Sequence, residues 1–314
     1  MAPALHSDEI PIDAELVQGL VRRALPSHAD APVRRLASSG STNALFRLGD
    51  ELLVRLPRQP GGSASISKEA TWLPVLGPLL PVAVPEVVAV FEPDHAYPER
   101  WSVVRWIEGT HPAVVDPDTS IDPQRDILAN DLAKVLDALR QAEVPTRAVN
   151  DPHLQSYRGE PLATMDEATR ENIERCRALK DFDLDLDAAE QIWAESMKLS
   201  GVADRTTPRW YHGDLAAENL LVRDGALTAV LDFGGLSVGD PTVDLVVAWE
   251  VLDPSARELF RRQVGVDDAT WLRARAWALS ITLMIWYYWT TMPERRARCM
   301  AVGRNVLADA GYSV

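Results

Sequence analysis

The chain has 314 residues, of which 46% are apolar, enough for a substantial core as one large domain or as two lobes. Its formal net charge of −14 at pH 7 argues against nucleic-acid binding, because contact with a phosphate backbone needs positive charge. The longest charge-free run, Ala276 to Pro293, contains polar residues and a proline, so it favours a buried helix over a membrane span.

The sequence predicts a cytoplasmic protein. It begins without a basic segment followed by an apolar run, so no secretory signal peptide is predicted. Cys176 and Cys299 lie far apart and lack the spacing of metal ligands, which is typical of free thiols in a reducing compartment. The sequence carries no signal for an oligomeric state.

The first hundred residues are predicted to form a small, mostly antiparallel sheet with one internal helix. Gly49-Asp50 is typical of a tight turn between two antiparallel strands. The first two of the five strands are joined by the segment Ser38–Asn43. The other predicted elements are the helices Ile12–Leu25 and Ser63–Leu76 and the strands Ala44–Leu48, Leu52–Leu56, Val87–Phe91 and Trp101–Ile107.

From Pro123 onward the apolar pattern is mainly helical, interrupted by two short strands. Predicted helices cover Gln124–Ala142, Asp166–Leu179 and Asp187–Leu199, and helices resume at Asp240. The fold class is therefore predicted as α+β, a protein-kinase-like two-lobed fold with an antiparallel-sheet N-lobe and a mainly helical C-lobe. The boundary is expected after Glu108, giving lobes of residues 1–108 and 109–314.

The segment from Tyr211 to Val222 contains the pattern His-x-Asp-x-x-x-x-Asn, and an Asp-Phe-Gly sequence follows it. Kinase-fold enzymes use this arrangement to transfer a phosphoryl group. Asp214 is the candidate catalytic base, and Asn219 and Asp232 offer the hard oxygen ligands that Mg²⁺ prefers. His212 is expected to brace the loop by hydrogen bonds. Considered one at a time, Asp214, Asn219 and Asp232 are each typical of ordinary loop, capping or turn residues.

Asp240-Pro241 is predicted to open a helix, with Asp240 as the N-cap and proline at the first helical position. Asp240 is therefore expected to support the site without taking part in chemistry. Asp244, one turn later, is expected to tie the loop that carries Asp214 in place.

Arg55 lies on the predicted third strand, where a kinase-like lobe carries a lysine that contacts nucleotide phosphates. A guanidinium keeps its charge and binds phosphate as a fork, so Arg55 is the predicted substitute. Its predicted partner is Glu69 on the following helix. The alternative interpretation of these two residues is a surface ion pair.

Two further segments are candidates for nucleotide binding. Ser39, Gly40 and Ser41 form a small-residue turn that lets backbone N–H groups approach phosphates, although any hairpin can use such a turn. Arg105 and Ile107 lie at the predicted connection between the lobes, where their backbone groups are candidates to hydrogen-bond an adenine or guanine edge.

These motifs resemble the aminoglycoside phosphotransferase family, which includes kinases of antibiotics and other small metabolites. The resemblance runs from about Val33 to Asp253 and rests on Tyr211 to Asn219, Leu231–Gly234, Val238–Pro241 and the strand segments Val54–Arg58 and Trp101–Trp106. It implies O-phosphorylation of a small hydroxyl compound with ATP or GTP and Mg²⁺, with Asp214 as base and Asn219 and Asp232 as metal ligands. The departures are Arg55 in place of lysine and Gly213 in place of the arginine of protein kinases, and the latter disfavours a protein substrate.

The acceptor is left open by the sequence. An acidic excess in residues 111–200 is compatible with a cationic, aminoglycoside-like acceptor, for which the candidate contacts are Asp151, Glu160, Asp166 and Glu167. Solvated helix faces would explain the same charges. A macrolide would need a large apolar pocket, and a metabolic sugar or amino alcohol fits equally well. The aromatic cluster Trp286–Trp289 is more typical of core packing than of a ligand site, and lining of an acceptor pocket by part of it stays open.

The sequence gives less support to other functional classes than to a kinase. Gly235-x-Ser237-x-Gly239 matches the nucleophile motif of α/β-hydrolases, but that fold needs a histidine after the serine, and the last histidine is His212. The Gly-Lys-Ser/Thr sequence of P-loop kinases is absent. A noncatalytic nucleotide-binding protein with a kinase-like fold stays possible, although the intact residues Asp214, Asn219 and Asp232 favour an enzyme.

Overall fold

The computed structural model describes residues 8–36 and 42–313. Its N-terminal elements are the strands β1 Val33–Arg35, β2 Asn43–Leu48, β3 Leu52–Pro57, β4 Val87–Phe91 and β5 Trp101–Arg105 and the helices α1 Ala14–Ala24 and α2 Ser63–Leu76. The strands form one antiparallel sheet in the order β1-β2-β3-β5-β4. The predicted antiparallel lobe with one internal helix is thereby confirmed.

The hairpin of β2 and β3 fixes the position of Arg55. Gly49 adopts φ +57°, a left-handed conformation that favours glycine, and Leu48 pairs with Leu52 across the turn. The resulting register sets Arg55 opposite Leu45 on one side and opposite Ser102 of β5 on the other. Arg55 therefore lies in the middle of the sheet.

Several elements end one or two residues away from their predicted bounds, for local reasons. Helix α1 starts at Ala14 because the Asp13 side chain accepts a hydrogen bond from the backbone N–H of Leu16 at 2.8 Å and caps the helix. Strand β5 ends at Arg105, after which the backbone N–H of Trp106 donates to the carbonyl of Glu51 at 2.8 Å and the chain leaves the sheet.

The second lobe is mainly helical, as predicted. Its helices are α3 Gln124–Gln141, α4 Thr146–Val149, α5 Asp166–Arg177, α6 Leu186–Ser196, α7 Ala248–Val251, α8 Pro254–Val264, α9 Asp268–Leu283 and α10 Pro293–Asp309. Two small antiparallel sheets interrupt them, one pairing β6 Arg209–Tyr211 with β9 Ser237–Gly239 and the other pairing β7 Leu220–Arg223 with β8 Ala226–Val230. Within the described part of the chain, no helix is long and apolar enough to cross a membrane.

Helix α2 connects the two lobes through its apolar face. Trp72, Leu73 and Leu76 are buried in the same cluster as the core of the helical lobe, whereas the sheet and α1 share a separate cluster. The ring centroids of Trp72 and Trp210 lie 5.0 Å apart, so α2 packs against β6. The same helix carries Glu69 close to Gly234, in the segment that follows β8.

Candidate active site

The loop of residues 212–219, here called the motif loop, is fastened to the helical lobe by a buried carboxylate. Asp244 accepts hydrogen bonds from the backbone N–H groups of His212 at 2.6 Å and Gly213 at 2.8 Å, as predicted. Burial raises the pKa of Asp244, and these hydrogen bonds oppose that rise. Asp240 caps the 3₁₀ helix Pro241–Val247, which carries Asp244, by accepting from the backbone N–H of Thr242 at 2.9 Å.

His212 is fully buried, and both of its ring nitrogens meet backbone groups. Nε2 lies 2.9 Å from the carbonyl oxygen of Leu231, and Nδ1 accepts from the backbone N–H of Asp214 at 3.2 Å. This pattern requires a neutral ring with its proton on Nε2. The ring also packs edge-on against Phe233, with centroids 4.7 Å apart. His212 thus links the motif loop to the Asp-Phe-Gly segment.

Gly213 stands at a position that admits no other residue without movement of the backbone. Its φ is +81°, and a Cβ built on it would lie 2.5 Å from the carbonyl oxygen of Gly235. The 3₁₀ turn Phe233–Gly235 therefore approaches the motif loop closely enough to exclude a side chain. This contact gives a physical reason for glycine where protein kinases carry arginine.

Asp214 is held in place by an arginine that the sequence interpretation missed. Arg158, in the 3₁₀ turn Tyr157–Gly159, donates to Asp214 Oδ1 at 2.8 Å and also to the carbonyl of Gly213. Burial alone would raise the pKa of Asp214, but the Arg158 guanidinium holds it below its usual value. The Asp214 side chain is still 43% exposed, so the carboxylate is ionised and accessible.

Asn219 and Asp232 line the same cavity as Asp214. The side-chain amide of Asn219 donates to the backbone carbonyl of Asp214 at 2.8 Å, which leaves its own oxygen for another partner. Asp232 takes a left-handed conformation, φ 53°, and accepts from the backbone N–H of Gly234 at 3.3 Å through Oδ1. Its side chain is 36% exposed, and its second oxygen is not used in that contact.

Arg55 and Glu69 form a buried two-point ion pair. Arg55 donates through one guanidinium nitrogen to Glu69 Oε1 at 3.0 Å and through the other to Oε2, and it also lies 3.2 Å from Asp232 Oδ1. Burial alone would lower the pKa of Arg55, but the two carboxylates raise it, so the guanidinium stays charged. The side chains of Arg55 and Glu69 are 6% and 2% exposed, which argues against the surface-pair interpretation.

A cleft of about 260 Å³ separates the sheet from the motif loop, and we call it the inter-lobe cleft. Arg55, Asn219 and Asp232 line it, together with Arg105 and Ile107 of the predicted hinge. The backbone N–H of Arg105 already donates to the carbonyl of Glu86 at 2.9 Å. The backbone N–H of Ile107 meets no acceptor among the described residues. Ser39, Gly40 and Ser41 lie outside the described residues.

A second cavity of about 380 Å³ lies on the other side of Asp214 within the helical lobe, and we call it the helical cavity. Its wall is largely apolar and aromatic, with contributions from α9, the 3₁₀ turn Met284–Tyr288 and α10. Trp286, Tyr287 and Tyr288 line it, whereas Trp289 packs against Phe182 with ring centroids 5.1 Å apart. Core packing therefore describes Trp289, whereas Trp286 and Tyr288 both pack against the core and line the helical cavity.

The four acidic residues predicted to contact the acceptor do not line the helical cavity. Their side chains make local contacts or face solvent. Asp151 caps a 3₁₀ helix by accepting from the backbone N–H of His153, and Glu160 pairs with Arg205 at 2.6 Å. Asp166 pairs with Arg170 at 2.9 Å, and Glu167 is exposed on α5. The charges lining the helical cavity are instead Asp214, Glu250, Arg158, Arg295 and Arg298.

Comparison with known proteins places this geometry in a family. A family model described as the phosphotransferase enzyme family matches residues 33–277, which is more than half of the chain and includes the motif loop and the Asp-Phe-Gly segment. The chain belongs to this phosphotransferase family. The resemblance predicted from the motifs is confirmed.

A curated relative of this phosphotransferase, the aminoglycoside 3′-phosphotransferase of Escherichia coli, is 33% identical to it over 93 residues. That match covers 28% of the chain and spans about a third, 34%, of the relative's length. Among solved structures, the GDP and kanamycin complex of APH(2″)-IIIa superposes with a TM-score of 0.66 at 21% identity and covers 94% of this chain and 98% of its own.

Macrolide 2′-phosphotransferase MphH from Brachybacterium faecium, solved as the apoenzyme, gives a TM-score of 0.58 at 22% identity. The match covers 94% of the phosphotransferase described here and 98% of that chain. At such identities the likeness establishes a shared fold. The predicted kinase-like two-lobed architecture is confirmed by these superpositions.

Sequence reasoning missed the arginines of this phosphotransferase that face Asp214 and the helical cavity. Arg158 precedes the motif loop by more than fifty residues, and Arg295 and Arg298 follow it by about eighty. None belongs to a short motif. Arg158 reaches the site from the 3₁₀ turn Tyr157–Gly159, and Arg295 and Arg298 both reach it from α10. Nothing in the local sequence around these arginines indicates that they face Asp214 or the cavity beside it.

Proposed function

We propose that this chain transfers the terminal phosphoryl group of ATP or GTP to a hydroxyl group of a small molecule. The observation that carries the proposal is the position of Asp214 between the inter-lobe cleft and the helical cavity, with Asn219 and Asp232 on the cleft side. Residues 1–108 would then form the nucleotide-binding lobe, and residues 109–314 would carry the motif loop and the acceptor site.

In this proposal, Asp214 accepts the proton of the acceptor hydroxyl as its oxygen attacks the terminal phosphorus. The bond from that phosphorus to the bridging oxygen breaks, and the nucleoside diphosphate leaves. Arg158 holds Asp214 Oδ1 at 2.8 Å, so Oδ2, whose only hydrogen bond among the described residues is from the Asn219 amide at 3.4 Å, would meet the hydroxyl. Arg55, fixed by Glu69, would contact the nucleotide phosphates, as its place on β3 supports.

The residues at the cleft fit a magnesium ion held jointly with phosphate. Asn219 and Asp232 each have an oxygen left over by their hydrogen bonds within the protein. The described residues contain no group of three or more His, Cys, Asp or Glu side chains that could hold a metal ion, so a metal ion here would need phosphate oxygens as further ligands. Bound Mg²⁺ would neutralise charge on those phosphates.

The acceptor that the helical cavity supports best is a bulky, largely apolar hydroxyl compound. Tyr157, Met284 and Tyr287 are exposed apolar residues, and the Tyr157 hydroxyl lies 3.9 Å from the Met284 sulfur. Met284 and Tyr287 line the helical cavity, so an apolar ligand would cover surface that is otherwise left to water. This favours a macrolide-like acceptor.

An aminoglycoside-like acceptor is the second candidate, supported by the local identity to an aminoglycoside 3′-phosphotransferase. Against it, the charged residues lining the helical cavity are three arginines and two carboxylates, which is a poor match for a polycation. If neither macrolides nor aminoglycosides support turnover, the remaining candidates are a metabolic sugar or amino alcohol as acceptor, or nucleotide binding without transfer.

A coupled nucleotide-turnover screen with Mg²⁺ tests the proposal, using ATP and GTP against macrolides, aminoglycosides, sugars and amino alcohols. We expect turnover that depends on a macrolide and is lost in Asp214→Ala while nucleotide binding stays nearly intact. Asp224→Asn is the matched control, because Asp224 is exposed in the turn between β7 and β8 and Asn tolerates its left-handed conformation. Acceptor-dependent turnover that survives Asp214→Ala would refute the assignment of the base.

A further inference from the structure

The inter-lobe cleft and the helical cavity meet at two residues. Among the residues that the structure describes, Asp214 and Arg295 are those that line both cavities. The inference drawn from this rests on the proposed function, in which nucleotide occupies the cleft and acceptor the cavity. A phosphoryl group passing from one to the other must then cross this junction, so a side chain there can contact it.

Arg295 is directed to the junction by its own helix and an aromatic ring. It lies in the first turn of α10, and its guanidinium carbon is 4.7 Å from the ring centroid of Tyr288, which lines the helical cavity. A guanidinium over an aromatic face is restrained yet keeps N–H donors at its edge. Arg295 is partly buried, so its charge is less screened by water than that of an exposed arginine.

Phosphoryl transfer requires stabilisation of negative charge at this junction. The group in transfer spreads negative charge over three equatorial oxygens, which are displaced from both the leaving and the attacking oxygen. Arg55 and the predicted metal ligands Asn219 and Asp232 line only the inter-lobe cleft, so they face the nucleotide side of the transfer. Among the described residues, Arg295 is the cationic side chain that lines both the inter-lobe cleft and the helical cavity.

We propose that Arg295 is a catalytic residue that binds the equatorial oxygens of the phosphoryl group during its transfer. The acceptor oxygen forms the new bond to phosphorus, the bond to the bridging oxygen breaks, and Asp214 takes the hydroxyl proton. Arg295 neither gains nor loses a proton and acts through hydrogen bonds and charge. Its contribution is greatest in the transition state, so it should affect kcat more than the binding of either substrate.

The test compares Arg295→Gln and Arg295→Lys with Arg296→Gln. Arg296 is the matched control, because it lies next along α10, is exposed and stacks on Trp289, outside both cavities. With ATP and erythromycin as probes, or the acceptor that the screen selects, we expect Arg295→Gln to lower kcat by about 10²- to 10³-fold. The KM values should change less than about threefold, Arg295→Lys should recover part of the rate, and Arg296→Gln should match the wild type.

A binding measurement separates this role from a structural one. Aluminium fluoride with Mg·ADP mimics the phosphoryl group in transfer, so the wild type should bind ADP more tightly when it is present. Arg295→Gln should bind Mg·ADP like the wild type but lose the gain from aluminium fluoride.

The outcomes distinguish the inference from the function on which it rests. A wild type that turns over acceptor while Arg295→Gln keeps both its rate and the aluminium fluoride gain would overturn the role of Arg295 and leave the phosphotransferase function standing. Weakened binding of Mg·ADP itself in Arg295→Gln, in proportion to the loss of rate, would also overturn it. A wild type that neither binds nucleotide nor turns over any acceptor would refute the proposed function and this inference together.

Discussion

The inter-lobe cleft and the helical cavity share Asp214, and both have largely apolar walls, but their charged groups are held differently. On the cleft side, ion pairs among Arg55, Glu69 and Asp232 link sheet, helix and loop. The cavity is walled mostly by aliphatic and aromatic side chains from late helices. Under the proposed function, phosphate chemistry on the cleft side constrains residue types at fixed spacing, whereas the acceptor site constrains shape and polarity.

The largest effect is expected from breaking the buried ion pair between Arg55 and Glu69. Glu69→Ala leaves the Arg55 guanidinium buried with Asp232 as its remaining partner at 3.2 Å. We expect the free energy of unfolding to fall by about 3 kcal/mol, with weaker nucleotide binding. Urea unfolding and nucleotide titration measure these changes, and Glu92→Ala, which removes an exposed partner of Arg100, is the control. A loss no larger than in the control would restore the surface-pair interpretation.

The next effect is expected where the two regions join. Arg158→Gln removes the ion pair to Asp214 Oδ1 and leaves the base free to turn. We expect kcat to fall by about 10²-fold, with unchanged nucleotide affinity, because Arg158 lines the helical cavity and not the cleft. Steady-state kinetics would be compared with Arg205→Gln, which breaks an exposed pair with Glu160. An equal rate in both variants would contradict a positioning role.

A smaller effect is expected from trimming the cavity wall. Tyr287 is 53% exposed and lines the helical cavity, so Tyr287→Ala should fold normally. We expect the KM for an apolar acceptor to rise about tenfold, with no change in nucleotide binding. Val149→Ala removes an exposed apolar side chain outside this cavity and serves as the control. Raised KM values for both nucleotide and acceptor would mean that the two regions are less separate than the structure indicates.

The smallest effect concerns the acid stability of the sheet lobe, at the start of α2. Glu99 accepts hydrogen bonds from the backbone N–H groups of Gly61 at 2.9 Å and Ser63 at 2.8 Å, which fastens the start of α2. Burial alone would raise the pKa of Glu99, but hydrogen bonds from Ser63 and Gly61 hold it below its usual value. Its stabilisation is therefore present above the pKa of an unfolded glutamate and is lost as the pH falls through the lower folded pKa.

Glu99→Gln tests this linkage. At pH 7 we expect the variant to be less stable by about 1 kcal/mol, and the difference should disappear in acid, where the wild-type carboxylate is protonated. Thermal unfolding across the pH range measures it, with Glu174→Gln on the exposed face of α5 as the control. A stability difference between the wild type and Glu99→Gln that grows on acidification would contradict the predicted direction of the pH dependence.

The sequence was most informative where a residue type has few alternatives. The predicted bounds of α2 and β4 match the structure, because turn residues and apolar runs mark both ends. The motif loop and Asp232 were placed together from spacing alone. The four acidic acceptor candidates failed to reach the cavity because net charge over a long segment says nothing about which helix face each carboxylate occupies. Arg158 and Arg295 needed tertiary packing to be found.

The close approach of Gly213 and Gly235 has a consequence for protein engineering. A Cβ on Gly213 would strike the Gly235 carbonyl oxygen at 2.5 Å, and a Cβ on Gly235 would lie 2.9 Å from the carbonyl oxygen of His212. The two segments are therefore fitted to each other, backbone against backbone. A chimera that grafts an arginine-bearing protein-kinase loop into this chain must exchange the Asp-Phe-Gly turn in the same cassette, because neither half can be swapped alone.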